Sequence, residues 1–299
     1  MRGVIGRIDH LAIDVMGGRL FVCALGSDAV EVLDLRGGSV AATISGLREP
    51  QGVVYLSDRN KLYVSNGGTG ELDVFDGSTL RVATRIDLGS DADNLRYDPT
   101  ARSLLVGAGH SLAVIDVSDD RVAGAVPLPG HPEGFALEQP GGRIFVNVPL
   151  PSRSVFVVDR KANAVSGRWP VGGLLSDTFS NFPLNVDESS RRVFVGTRVP
   201  ASLKVLDEST GRIVTEEPID GDPDDIFYDA QRRLVIVSCG KGFLDVFQQV
   251  DADHYRPAAR VATAAGARTS LWVPEMDRLF VAAPRAGGRP AEILVYSMN

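Results

Sequence analysis

The apolar positions of this chain fall into short runs that return at a nearly fixed distance. A quartet of aliphatic, bulky apolar, Val and a usually small residue occurs as Leu20-Phe21-Val22-Cys23, Leu62-Tyr63-Val64-Ser65, Leu104-Leu105-Val106-Gly107 and Ile144-Phe145-Val146-Asn147. It continues as Val193-Phe194-Val195-Gly196, Val235-Ile236-Val237-Ser238 and Leu279-Phe280-Val281-Ala282. The seven Val positions stand 42, 42, 40, 49, 42 and 44 residues apart, a period that belongs to repeats of one supersecondary unit each. A second column, Val32, Val74, Val114, Val157, Val205, Val246 and Val295, follows each first one by 8 to 14 residues.

Another apolar segment precedes each quartet, as in Leu11-Ala12-Ile13 and Ile226-Phe227-Tyr228, and a Val/Ala/Ile stretch such as Val82-Ala83-Thr84-Arg85-Ile86 follows each second column. Four strands per repeat, seven repeats and no helical periodicity predict an all-β chain, a seven-bladed β-propeller of four-stranded antiparallel blades. A β-sandwich would not need the same unit seven times. The seventh repeat ends at Asn299 after its third strand, while residues 3–8 read as an orphan strand. The expectation is a single domain over residues 1–299, its ring closed when the N-terminal strand completes blade seven and removes an exposed sheet edge. In five repeats an acid ends the second column, at Asp34, Asp76, Asp116, Asp159 and Asp207. Before turn sequences such as Gly77-Ser78-Thr79, these are expected to accept turn N–H groups.

Composition sharpens this. Apolar residues make up 44% and charged residues 23% of the chain, enough for a folded core and against disorder. The net charge of −7 argues against a nucleic-acid partner, because phosphate binding is driven by clustered Lys and Arg. It favours a neutral small molecule or a cation. Cys23 and Cys239 fall in different repeats and are expected to be unpaired core residues. No run is apolar and long enough for a membrane-spanning helix, and the first residues lack the apolar region of a signal peptide. The expectation is a soluble chain, cytoplasmic if nothing preceded it.

The quartet with its following residue, Leu62-Tyr63-Val64-Ser65-Asn66, resembles the Tyr-Val-Thr-Asn motif of the YVTN-repeat, or YncE-like, β-propeller family, and the resemblance runs the length of the chain. It implies a periplasmic or secreted location, since such proteins are commonly exported, and it implies no particular activity.

In a propeller the innermost strands surround the axis, so the first residues of each blade gather at one mouth of the channel. Aligning the inner strands on their apolar residues puts Asp9, Gln51, Asp93, Glu133, Phe182, Asp224 and Thr269 in a lead column. His10, Gly52, Asn94, Gly134, Pro183, Asp225 and Ser270 form the next, and Asn181 and Arg268 precede the lead column. Converging carboxylates persist when paired with cations or bound to a metal. The expected ligand-binding set is therefore Asp9, His10, Gln51, Asp93, Asn94, His131, Glu133, Asn181, Asp224, Asp225 and Arg268, with Asp9 and His10 as catalytic candidates. Oxygen donors suit Ca²⁺ better than zinc, and Glu133, Asn181, Asp224 and Asp93 are the metal-ligand candidates. Glu133, Asn181 and Asp224-Asp225, with Asn94 as a fourth candidate, also look like part of the ligand set of calcium-dependent lactonases of the gluconolactonase type.

The extra length between blades four and five, residues 170–181, is expected to lie over the mouth, where Leu174, Leu175 and Phe179 could cover an apolar ligand. The chain has no G-x-S-x-G elbow, P-loop, haem-attachment motif or zinc helix, which excludes the chemistries that need them. The leading expectation is a propeller that binds a small ligand or divalent cation at an acidic mouth. Its alternatives are a metal-dependent, lactonase-like hydrolase and a protein-interaction scaffold.

Overall fold

The computed structural model describes every residue except 140, 173–178 and 299, and leaves the side chains of Phe179 and Ser180 undescribed. The expected cover residues Leu174 and Leu175 lie outside the described residues, as does the Phe179 side chain. The chain is a seven-bladed β-propeller: seven antiparallel sheets follow one another along the sequence, and the described residues contain no α-helix. Six of the sheets have four strands and the seventh has three. Internal contacts group the chain into two compact units, residues 1–125 with 282–295 and residues 126–281 with 296–299.

The Val-centred quartets are the second strands, such as Arg19–Ala24 and Lys61–Asn66. Their residues are buried consecutively instead of alternately, with Leu20, Phe21, Val22 and Cys23 all at 0% exposure. A strand covered on both faces reads this way. Within the first unit, blade one packs on blade two through Phe21, Val32, Val53 and Leu62, and blade two on blade three through Tyr63, Val74, Leu95 and Leu104. Within the second, Phe145, Val157 and Val193 join blades four and five, and Phe194, Val205 and Val235 join blades five and six. Full burial of each such side chain contributes about 1.5–3 kcal/mol. Cys23 and Cys239 are unpaired core residues, as expected. Burial pushes both thiols well above their ordinary range, with the Asp9 charge adding to the shift at Cys23 and that of Asp245 at Cys239, so neither is a ready nucleophile.

The turn aspartates do what their position predicts. Asp34 accepts from the N–H groups of Arg36 and Gly37 at 3.0 Å each, Asp76 from Ser78 and Thr79, Asp116 from Ser118, Asp159 from Ala162 and Asp207 from Ser209 and Thr210. Hydroxyl and N–H donors of these turn residues favour the ionised form and hold the carboxyl pKa of Asp76, Asp116 and Asp207 below the ordinary range.

One repeated device escapes a reading based on apolar columns. Three residues before the Val of the quartet stands Arg19, Lys61, Arg143 or Arg192, and each reaches the following blade. Arg19 Nη1 donates to Gly77 O at 2.6 Å, and Lys61 pairs with Asp120. Arg143 pairs with Glu208, and Arg192 Nη2 pairs with Asp253 at 2.6 Å. The sequence pattern does not reveal this device, because each partner lies about 60 residues away.

Residues 3–8 depart from expectation, because they form no strand. Gly6 turns the segment at φ +70°, a conformation suited to glycine. The chain then folds onto the short turn of blade one. Gly26 N donates to Arg7 O at 2.9 Å and Ile5 N to Ser27 Oγ at 2.9 Å. Val4 and Ile8 are buried nevertheless, and the Met1 ammonium donates to Ala291 O at 2.7 Å. The two ends of the first unit therefore meet through a packed segment, not through a fourth strand.

Candidate functional site

Strand register places the candidate side chains. Leu11, Val53, Leu95, Phe135, Leu184 and Ile226 each stand opposite the Val of the quartet. In blade seven the residue opposite Val281 is Ser270. The expected alignment of that blade is thus off by one, since Ser270 continues an apolar column and its hydroxyl disguised the match. Arg268 moves into the lead column with Asp9, Gln51, Asp93, Glu133, Phe182 and Asp224, and Thr269 moves into the second.

The second column is buried almost throughout, with Asn94 at 5%, Asp225 at 6% and Thr269 at 1% exposure. Its glycines allow the next inner strand to approach. A Cβ on Gly52 would meet Asp93 O at 2.5 Å and Ser65 Oγ at 2.7 Å, and one on Gly134 would collide with Phe182 O. The small residue of the quartet uses this closeness. Ser65 Oγ donates to Asp93 O, Asn147 Nδ2 donates to Phe182 O and Pro183 O at 3.0 Å each, and Ser238 and Ser270 share a hydroxyl contact of 2.6 Å. The column before the lead column is buried as well, through Ile8, Ala92, Asn181 and Ala267. Asn181 is a polar residue in an apolar column. Its Nδ2 donates to Asn147 Oδ1 at 2.8 Å and to Ser154 O at 3.2 Å, while its Oδ1 is buried with no hydrogen-bond partner.

In the first unit Asp9 is 1% exposed and accepts from Arg7 Nη2 at 2.6 Å, with His10 Nε2 at 3.6 Å. The pair expected to be catalytic is therefore in contact, with the carboxylate held by a guanidinium two residues earlier. Asp93 is 6% exposed. Asn94 Oδ1 accepts from Arg96 Nη1 at 3.1 Å, and Gln51 Nε2 donates to Asp91 Oδ1 at 3.1 Å.

In the second unit Glu133 and His131 are half-buried, and Asp225 Oδ2 accepts from Ser270 N at 2.7 Å. The main cluster forms around Asp224. Its Oδ1 accepts from Arg198 Nη2 at 2.6 Å and its Oδ2 pairs with Arg268 Nε at 3.0 Å. Asp222 Oδ1 pairs with Arg198 Nε at 3.1 Å, and both Asp222 oxygens accept from Arg268 Nη1 at 3.1 Å. The Arg198 guanidinium carbon lies 3.7 Å from the centre of the Phe182 ring, a cation–π contact. Sequence reasoning missed Arg198 and Asp222. Arg198 rides on the second strand of blade five, Arg192–Val199, which has 8 residues where that of blade two, Lys61–Asn66, has 6. The sequence carries no matching signal, since Val195 and Val205 stand 10 residues apart, as Val22 and Val32 do.

Among the described residues, no group of three or more His, Cys, Asp or Glu side chains is arranged to hold a metal ion. Both Asp224 oxygens already face guanidinium groups, so the residues around it do not fit a calcium site as they stand. Among the described residues, no helix is long and apolar enough to cross a membrane.

No family model matches the chain, and no curated protein sequence matches it either. Among solved structures it is similar to a chain of hydrazine synthase from Kuenenia stuttgartiensis, with a TM-score of 0.85, 14% identity, and 100% of this chain and 97% of that one covered. It is also similar to a chain in a crystal structure of the mitotic checkpoint complex, with a TM-score of 0.79, 13% identity, and coverage of 94% and 86%. At such identities the likeness establishes the propeller fold and nothing about activity.

Proposed function

We propose that this chain is a binding propeller of the YVTN-repeat, YncE-like kind, which takes a small polar ligand at the starts of its inner strands. The contact set is Arg198, Arg268, Asp222 and Asp224 beside Phe182. The supporting observation is the accessibility of this cluster, whose four charged side chains are 10–35% exposed while the columns flanking the lead column are buried. Polar groups of both signs that meet water without belonging to the core suit recognition more than packing. A bare divalent cation would have to displace two guanidinium groups from Asp224 and would then be repelled by them.

Calorimetric titration with Ca²⁺, methylammonium, acetate, succinate and glucose tests the reading. Saturable binding of at least one probe is expected in the wild type, with loss of at least about tenfold in affinity in Asp224→Ala, the usual scale for removing a charge-assisted contact. Absence of binding by every probe, or binding unchanged in Asp224→Ala, would overturn it.

A further inference from the structure

The two carboxylates that hold Arg198 and Arg268 differ in standing. Asp224 belongs to the inner strand Pro223–Asp229 and its side chain is 10% exposed. It takes one nitrogen from each guanidinium. Asp222 precedes that strand, sits in the left-handed region at φ +63°, and its side chain is 35% exposed. Its single planar carboxylate bridges the same two guanidinium groups, Arg198 through Nε and Arg268 through Nη1, all at 3.1 Å. Gly240 keeps the space for that carboxylate, since a Cβ there would collide with Asp222 Oδ2.

We propose that the Arg198–Arg268 pair is a binding site for the carboxylate group of a small ligand, and that Asp222 occupies it while the ligand is absent. This rests on the small-ligand reading above and names its chemical class. Two guanidinium groups held by Asp224 keep the nitrogens that Asp222 had bonded once Asp222 leaves, and their fork geometry matches a carboxylate. Exchange preserves the number of charge-assisted bonds at the pair, because the incoming carboxylate replaces the outgoing one. Asp222 is the group that can move, being one-third exposed and outside the strand ladder. The Phe182 ring holds the Arg198 plane during the exchange. The net charge of −7 is a weak objection, because screening over roughly 8–10 Å at physiological salt leaves the local pair in control.

A ligand that must displace an internal carboxylate binds more weakly than it would to the vacated pair. Asp222→Asn removes the competing charge and keeps the side-chain size. In calorimetric titrations, acetate and succinate are expected to bind Asp222→Asn about tenfold more tightly than the wild type. Asp222→Asn combined with Arg268→Gln is expected to lose that binding, with thermal melting reporting that the fold persists. In parallel, the ¹⁵N-labelled arginine Nε signals of Arg198 and Arg268 in the wild-type protein are expected to shift with succinate, which keeps the test independent of any variant. Equal affinity of the wild type and Asp222→Asn, or Arg198 and Arg268 signals that do not move at saturating succinate, would overturn the proposal. Binding of methylammonium, glucose or Ca²⁺ without acetate or succinate would overturn the carboxylate assignment alone and leave the small-ligand reading standing. No binding of any probe to either protein would sink both.

Discussion

The lead column means different things in the two units. In the first unit its acids are core residues, with Asp9 and Asp93 at 1% and 6% exposure, and Arg7, two residues before Asp9, donates to it. In the second unit every member, Glu133, Phe182, Asp224 and Arg268, is half-buried, and Asp224 meets Arg198 from the second strand of blade five and Arg268 from just before the inner strand of blade seven. The register is the same in both units, so the register does not decide whether an acid is scaffold or site. What decides it is which side chains the neighbouring strand ends bring. An extended second strand delivers Arg198, and blade seven delivers Arg268.

The largest effect should appear where the two units agree. Gly52→Val and Gly134→Val each push a side chain into the carbonyl of the next inner strand, Asp93 O or Phe182 O, and each is expected to cost about 3 kcal/mol in denaturant unfolding, the upper range for overpacking. A loss under about 1 kcal/mol in one unit alone would show that its blades are joined by other means.

The next effect should separate the units. Arg268→Ala removes one of the two guanidinium groups that hold Asp222 and Asp224 and is expected to cost about 2 kcal/mol, below the cost of stranding a fully buried charge. Arg7→Ala strips the guanidinium from a carboxylate that is 1% exposed, and is expected to cost more, about 3 kcal/mol, the low end for stranding a buried charge. Equal losses would erase the contrast between scaffold and site.

The smallest effect concerns the interblade clamps and depends on pH. In the first unit Lys61 serves one carboxylate, Asp120. In the second Arg143 serves two, Glu138 and Glu208. Hydrogen bonding to Arg143 lowers Glu138 to about 2, while burial, with the neighbouring Glu138 adding to it, raises Glu208 to about 7. The pair thus holds one proton between them near pH 5. Lowered Glu138 adds stability that is present above its unfolded value, about 4.3, and lost as pH falls toward 2. Raised Glu208 works in the opposite sense, with stability present below about 4.3 and lost as pH rises through 7. Melting curves should show Glu208→Gln gaining about 1 kcal/mol on the wild type between pH 5 and 8, while Asp120→Asn shows no such pH-dependent gain. A flat difference for Glu208→Gln would remove the shared proton.

Legibility followed the range of the interactions. The first Val column was read correctly, because strands covered on both faces need continuous apolar runs, and the second falls on the third strands although its last member, Val295, is 54% exposed. The five turn aspartates were read correctly, because their partners lie two or three residues away. Ser270 misled the alignment of blade seven, since a buried hydroxyl that bonds Ser238 occupies a place filled by an aliphatic or aromatic side chain elsewhere. Residues 3–8 misled because extended composition does not reveal a turn at Gly6. Asn181 was placed among the ligands, although its column is apolar in the other blades.

By itself the sequence determined the all-β class, the seven repeats, the strand cores and the turn caps, since each depends on periodicity or on neighbours a few residues apart. Only the tertiary structure decided which polar residues meet. Arg198 and Arg268 are 70 residues apart, and no local pattern announces that two guanidinium groups converge on Asp222 and Asp224. Electrostatic partnership depends on distance in space, and strand register and strand length set that distance.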